Sequence, residues 1–382
     1  MKLLHLADLH LGKRVNGFEM LEDQRALLEQ VVDLCDARGV QAVVLAGDLY
    51  DTPLPPAGAV LLLDWFLTQL AGRGIAVLAV SGNHDSAERL DFGAGLLARE
   101  KVHIAGRFTG QLTRVELADE FGSVEFCLLP FVRAATVRHF LPDAPITDYD
   151  TAVAAALSTL PPAAPSTRRV LLAHQMVVAG SRTPQAAGSE SCAPALAVGT
   201  VEAVEAARFH GFGYVALGHI HRPQAVGSDW VRYSGAPLCY SLDECGAEKS
   251  AVLVSFGAGP VPELELIPLH PRRAMRKIEG TLDQLTAHAP ETGAEDYIWA
   301  RLEDLTPVPD AMARLRAVYP NAMKLDYKAM GPGPDLRAGA APGPDIRAFE
   351  PLFDRFFQQL HGRPMTAEEQ AALNAMWQEV TR

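Results

Sequence analysis

The stretch K2-L-L-H-L-A-D-L-H-L-G12 decides the fold: an apolar run, Lys2–Ala7, ends in Asp8 and His10. An extended chain places alternate side chains on one face, so a spacing of two keeps this carboxylate and imidazole together. Four later stretches repeat the design. G47-D-L-Y-D51 follows the apolar run Ala42–Ala46, and G82-N-H-D85 follows Ala76–Val80. H174-Q175 follows Val170–Ala173, and G218-H-I-H221 follows Tyr214–Leu217. Each run is read as a strand carrying metal-type side chains at its C-terminal end, where open α/β sheets gather their ligand sites. The glycines at 47, 82 and 218 permit sharp turns and close backbone approach.

Working outward, the N-terminal two-thirds alternates such runs with helical patterns, which predicts α/β architecture. A further strand is expected at Val231–Tyr233. A helix is marked by Leu27, Leu28, Val31, Val32 and Cys35 and closed by Gly39. Two more are expected over Ala57–Leu70 and Ala87–Arg99. Residues 1–272 are assigned to this catalytic domain. From 273 to 329 the texture is that of a small α/β unit, with strands near Arg276–Glu279, Tyr297–Leu302 and Met323–Tyr327. Its helices fall near Leu282–His288 and Ala311–Val318. So short a unit is expected to pack on the main domain.

Residues 330–346 are rich in Gly, Pro and Ala and repeat PGPD-hydrophobe-Arg, the composition of an extended linker. In 347–382, Phe349, Leu352, Phe353, Phe356, Phe357 and Leu360 share one helical face up to Gly362. Thr366 and Glu369 make a capping-box pattern ahead of Leu373, Met376, Trp377 and Val380. Two helices cannot bury that surface alone, so they fold back on the body or dock on a partner, and the linker favours the partner.

Composition sets the bounds. At 382 residues with 48% hydrophobic content the chain can build a large core and smaller parts. Asp8 and His10 interrupt the N-terminal apolar stretch, which argues against a signal peptide. Asp64, Arg73 and the glycines at 72 and 74 interrupt Ala57–Val80, which argues against a membrane span. Five cysteines without C-x-x-C point to free thiols in a reducing cytoplasm. The net charge of −12 weighs against a generic nucleic-acid binder, because phosphate contacts normally come from Lys and Arg. Two divalent cations, or a basic partner, would supply the missing positive charge.

Asp, His and Asn without Cys suit Mn²⁺, Fe²⁺ or Zn²⁺ better than a thiolate site. Paired cations can clamp a phosphodiester and activate water, and Asp48 is the candidate bridge. Each short motif alone also occurs in ordinary turns and caps. Together they hold five of the twelve histidines. The rest, His5 among them, are read as ordinary core or surface residues.

In this order the motifs resemble the calcineurin-like metallophosphoesterase superfamily. The stretches Y214-V-A-L-G-H-I-H-R-P-Q224 and Y233-S-G-A-P-L-C-Y-S-L-D-E244 closely resemble its SbcD-type nuclease subunits, which are similar to double-strand-break repair nucleases. The likeness spans essentially the whole chain, and no catalytic position departs from the pattern. It implies a four-layer α/β/β/α sandwich of two mixed sheets flanked by helices, with a DNA-contacting cap and a C-terminal helical segment. It further implies one metal on Asp8, His10, Asp48 and His221 and a second on Asp48, Asn83, His174 and His219, with Mn²⁺ the expected ion. His84 would then stabilise or protonate the departing oxygen, with Asp51 orienting it; a turn or capping role for Asp51 is the plainer alternative. The implied partners are DNA, a coiled-coil ABC ATPase of SbcC type, and a second copy within a heterotetramer. Ala57–Leu70 and Ala87–Arg99 are the dimer candidates, although the first could be buried core. The implied activity is ATP-dependent double-strand exonuclease and single-strand or hairpin endonuclease. A phosphoesterase of nucleotides or phosphoproteins would share the motifs, and a non-catalytic scaffold would be expected to have lost some.

Overall fold

A computed structural model describes residues 1–188, 203–288 and 291–328, together with 357, 363, 365, 366, 369, 370 and 373. The chain divides into two compact units, Met1–Ala329 and Met330–Arg382. Two six-stranded mixed sheets dominate the first. One runs in the order Glu263–Leu269, Lys249–Ser255, Lys2–Leu6, Ala42–Ala46, Ala76–Val80, Val102–Ala105. Its last four strands are parallel and its first two antiparallel. The other runs Gln224–Val226, Ser228–Tyr233, Tyr214–Gly218, Arg168–His174, Gly122–Leu129, Thr113–Asp119, with four parallel strands between antiparallel edges.

Strand alternation divides the core into layers. Leu3, Val44 and Leu78 of the first sheet meet Phe126, Leu172 and Tyr214 of the second in one buried cluster. Their neighbours Leu4, Val43 and Val77 turn the other way onto Leu28, Val31 and Phe66 of the helices Leu21–Arg38 and Ala57–Gly72. On the far side, Leu171, Val215 and Leu217 pack with Val153 and Ala156 of the helix Tyr149–Leu157. The result is a helix, sheet, sheet, helix sandwich with three apolar seams.

In these two sheets the structure shifts the ends of the expected strands by at most a few residues and adds six others: Val102–Ala105, Thr113–Asp119, Gly122–Leu129, Gln224–Val226, Lys249–Ser255 and Glu263–Leu269. The helix expected over Ala87–Arg99 is broken into Ala87–Leu90, Ala94–Leu97 and a 3-10 turn, Ala98–Glu100. Gly93, at φ +74°, adopts a left-handed conformation that a continuous helix cannot contain.

Residues 275–327 form a parallel three-stranded sheet, Met275–Gly280, Tyr297–Leu302 and Ala322–Tyr327, with the helices Leu282–Thr286 and Ala311–Val318. Ile298, Ala300 and Leu302 make a small core with Leu282 and Leu315. Met275, Tyr297 and Met323 join the main apolar cluster instead, so the unit packs on the large domain as its length predicted. In the second unit the Thr366 and Glu369 capping box is formed: Thr366 N–H donates to Glu369 Oε2 at 2.8 Å, and Glu369 N–H to Thr366 Oγ1 at 3.3 Å. The Gly/Pro stretch 330–346 and most of the two expected helices lie outside the described residues. Among the described residues no helix is long and apolar enough to cross a membrane.

Candidate metal centre

Five loops at the C-terminal ends of parallel strands, three from one sheet and two from the other, meet at one edge of the sandwich. Main-chain bonds zip the first two together: Asp8 N–H donates to Gly47 O at 3.0 Å, His10 N–H to Asp48 O at 2.9 Å, and Leu11 N–H to Leu49 O at 2.9 Å. Carboxylates then stitch the sheets and loops. Asp8 accepts from His219 N–H at 2.9 Å, and Asp48 from His84 N–H at 2.9 Å. The backbone is strained where the side chains must converge. Asp8, His10, Asp48 and His219 have φ of 55°, 44°, 50° and 105°, four of the seven non-glycine residues with positive φ among the described residues. At Gly82 any Cβ would lie 2.0 Å from Asp48 Oδ1, so only glycine lets that loop close over the carboxylate.

The structure brings all nine sequence-predicted residues into this one place. His10 Nε2 faces His221 Nε2 at 3.1 Å. Asp48 Oδ2 stands 3.7 Å from His10 Nε2 and 3.3 Å from His174 Nε2, between the two groups. Asn83 Oδ1 lies 3.0 Å from His174 Nε2 and 2.9 Å from His219 Nδ1. Three overlapping donor sets, Asp8/His10/His221, His10/Asp48/His84 and Asp8/Asp48/His174, each fall within 4.8 Å. His84 thus stands closer to the donors than a distant acid would.

Asp51 acts differently from the expectation. Its carboxylate meets His10 Nδ1 at 3.2 Å and Lys13 Nζ at 2.6 Å, while its main-chain carbonyl accepts His84 Nδ1–H at 2.8 Å. The carboxylate holds His10, and the backbone orients His84.

Charge balance favours cations here. Asp8 and Asp48 are buried carboxylates faced by imidazoles. Burial lowers the pKa of His10 and His221 and takes His219 to about 3, so these three are neutral near pH 7. Burial opposes charge on His174 too, but Asp48 and Asp8 outweigh it and raise that imidazole to about 9. Burial works against Asp48 ionisation, yet its histidine neighbours, His174 foremost, hold its pKa below the carboxylate range. Neutral imidazole nitrogens, an amide oxygen and two carboxylates form a donor set for divalent cations. Two nitrogens meeting nose to nose at 3.1 Å have the same explanation.

Several supporting residues escaped the sequence reading. Gln24 donates from Nε2 to His10 O at 2.7 Å and accepts Gly12 N–H at 3.0 Å. Tyr240 sets its ring edge against His10, with centroids 5.5 Å apart, and donates its hydroxyl to Leu9 O. Asp85 collects the N–H groups of Leu49, Tyr50 and Gly82, tying two of the loops together. Burial and the nearby Asp48 raise Asp85 to about 6.

Two family models match parts of the chain. Residues 1–223 match the calcineurin-like phosphoesterase family. Residues 271–360 match the SbcD C-terminal family, described as the type 5 capsule protein repressor C-terminal domain. Among solved structures, a dimetal phosphatase from Danio rerio is similar over 70% of this chain and 99% of its own, at 13% identity and a TM-score of 0.33.

Proposed function

The chain belongs to the calcineurin-like phosphoesterase family, and we propose that it is the catalytic subunit of an ATP-dependent DNA nuclease. Phosphoester hydrolysis with divalent metal ions follows from the family and the donor cluster. DNA as substrate is supported by the pairing of that domain with an SbcD-type C-terminal domain over residues 271–360. The single observation carrying the reading is that pairing on one chain, with the Asp48-centred cluster in the first partner.

Asp8, His10, Asp48 and His221 would hold one cation, and Asp48, Asn83, His174 and His219 the other. Cations bound there supply positive charge against the phosphodiester and make water acidic enough to attack near neutral pH. The chain itself does the rest. Asp48, facing both groups of donors, fixes their separation. Asp51 and Gln24 hold the His10 loop. His84 is aimed by its Nδ1–H bond to Asp51 O, and its Nε2 would deliver a proton to the departing 3′ or 5′ oxygen. The cap, 273–329, offers Trp299 between Lys277 and Lys324, with ring-to-ammonium distances of 5.1 and 4.7 Å, as an aromatic and basic row for DNA.

Partners follow from exposed apolar surface. Leu61 on the helix Ala57–Gly72 is 66% exposed, and Phe92 in the broken 87–100 segment 87% exposed, a face suited to a second copy. The segment 347–382 is assigned to a coiled-coil ATPase of SbcC type, in a cytoplasmic heterotetramer. The domain limits follow the sequence: 1–272 nuclease, 273–329 cap, 330–346 linker.

The test is digestion of linear and hairpin DNA with Mn²⁺, with and without the ATPase and ATP. Mn²⁺-dependent cleavage stimulated by ATP is expected. Hydrolysis confined to nucleotides or phosphopeptides, with DNA untouched, would replace the substrate assignment.

A further inference from the structure

The first turn of the helix Leu21–Arg38 reaches in two directions at once. Gln24, 1% exposed, turns into the candidate metal centre. Its Nε2 contacts His10 O at 2.7 Å, Leu9 O at 3.3 Å and Tyr240 Oη at 3.2 Å, while Oε1 accepts Gly12 N–H. One side chain therefore braces a turn whose residues Asp8 and His10 hold unfavourable positive φ. Asp23, fully buried, turns the other way. Its Oδ2 accepts from Tyr297 Oη at 2.7 Å and Arg273 Nη1 at 2.9 Å, both at the root of the 275–327 unit. Glu22 takes the second arm of Arg273 at 2.8 Å. Phe18 packs edge-on against Tyr297, with ring centroids 6.0 Å apart.

We propose that this turn couples the two regions: the position of the 275–327 unit sets the geometry of the His10 loop through Asp23 and Gln24. Both are positioning residues. A buried carboxylate tied to two groups of the cap cannot follow a cap displacement without moving the helical turn that carries it. A buried amide with its polar atoms engaged cannot move without dragging Leu9, His10 and Gly12. Whatever shifts the cap, including a nucleic acid seated on it, would then retune the site. The metal arm of the test rests on the proposed ligand assignment; the exchange arm does not.

Tyr297→Phe removes one of the two cap-side hydrogen bonds to Asp23 without touching Gln24, and Gln24→Met removes the site-side brace at similar volume. In the full chain, two measurements are made on each variant and on the double variant. One is hydrogen–deuterium exchange of the peptide spanning residues 8–12 in metal-free protein. The other is calorimetric Mn²⁺ titration. Gln24→Met should speed exchange at Gly12 and weaken one of two Mn²⁺ equivalents by roughly tenfold, as loss of an outer brace commonly does. Tyr297→Phe should produce both changes in smaller degree, and the double variant should fall short of the product of the two. Arg273→Lys should resemble the parent where Arg273→Met resembles Tyr297→Phe. If Tyr297→Phe and Arg273→Met leave exchange at residues 8–12 at the parental rate, the coupling is absent. If the parent binds no Mn²⁺ but the exchange pattern holds, the coupling stands and the ligand assignment fails.

Discussion

His84 and His174 are both half of a pair with an aspartate, yet the fold gives their imidazoles different surroundings. His174 is fully buried, with Nδ1–H donating to Ala46 O at 2.8 Å and Nε2 turned toward Asp48 and Asn83. His84 is partly exposed, its Nδ1 spent on the carbonyl of Asp51. The first arrangement suits a ligand and the second an acid that meets substrate. Replacing His84 by Ala should therefore abolish phosphodiester cleavage, with two Mn²⁺ per chain still counted by elemental analysis; parental cleavage would remove the role. Asp51→Asn separates two functions the sequence joined. The carbonyl that aims His84 survives, but the charge beside His10 Nδ1 is lost. Mn²⁺ affinity should drop by about tenfold while the pH profile of cleavage at saturating Mn²⁺ keeps its shape. The proposed ligands were legible because each sits one to four residues beyond an apolar run, a local signal. Gln24, Asp85 and Tyr240 were not, because their roles depend on which loops meet after folding. The capture of the His10 loop by Tyr240 joins segments more than 200 residues apart, and no spacing rule announces it.

Whole elements were readable in proportion to their burial. The strands Ala42–Ala46 and Ala76–Val80 are covered on both faces, so their unbroken apolar runs match the sequence reading residue for residue. Thr113–Asp119 is an edge strand with alternately exposed residues, and its mixed composition hides it. Lys249–Ser255 is different: its A-V-L-V run is buried and was there to be read, but it returns after a long excursion to pair antiparallel with the first strand. Helix reading failed at Gly93, where a periodic pattern continued across a residue that the backbone uses to turn. That break leaves Phe92 and Leu96 exposed, and Phe92 lines one cavity with Leu54 and Val60 from the segment that carries the exposed Leu61. A hydrophobic surface of this kind, carried by two neighbouring segments, calls for a cover. Substituting Leu61→Glu and Phe92→Glu together should turn the proposed dimer into a monomer by sedimentation, with the far-ultraviolet circular dichroism spectrum unchanged. A parental sedimentation profile would free this face from the assembly.

At the scale of the whole molecule the two sheets face each other across an apolar seam, and His5 is a polar residue inside it. Its Nδ1 pairs with the Tyr214 hydroxyl at 2.9 Å, joining a strand of one sheet to a strand of the other. The sequence reading placed His5 among ordinary core or surface residues, and the core is where it lies, fully buried. Burial is the main reason its pKa drops from 6.5 to about 3, with the nearby Arg232 adding to the effect and a backbone bond at Leu217 opposing it. The unfolded chain takes up a proton here near pH 6.5, whereas the folded chain does not until about pH 3. The unfolded state therefore binds more protons between those values. Stability is complete above about pH 6.5 and declines as the pH falls, by up to about 1.4 kcal/mol per pH unit from this group alone. Other buried imidazoles titrate too, so the informative quantity is a difference. The pair His5→Leu with Tyr214→Phe removes the titrating group without stranding its partner's hydroxyl. Urea unfolding in EDTA at pH 7.5, 6.5, 5.5 and 4.5 should show a shallower loss of stability for the double variant than for the parent, the two curves separating only below about pH 6.5. Parallel curves across that range would mean that His5 is protonated inside the seam, and that the bond to Tyr214 tolerates a charge between the sheets.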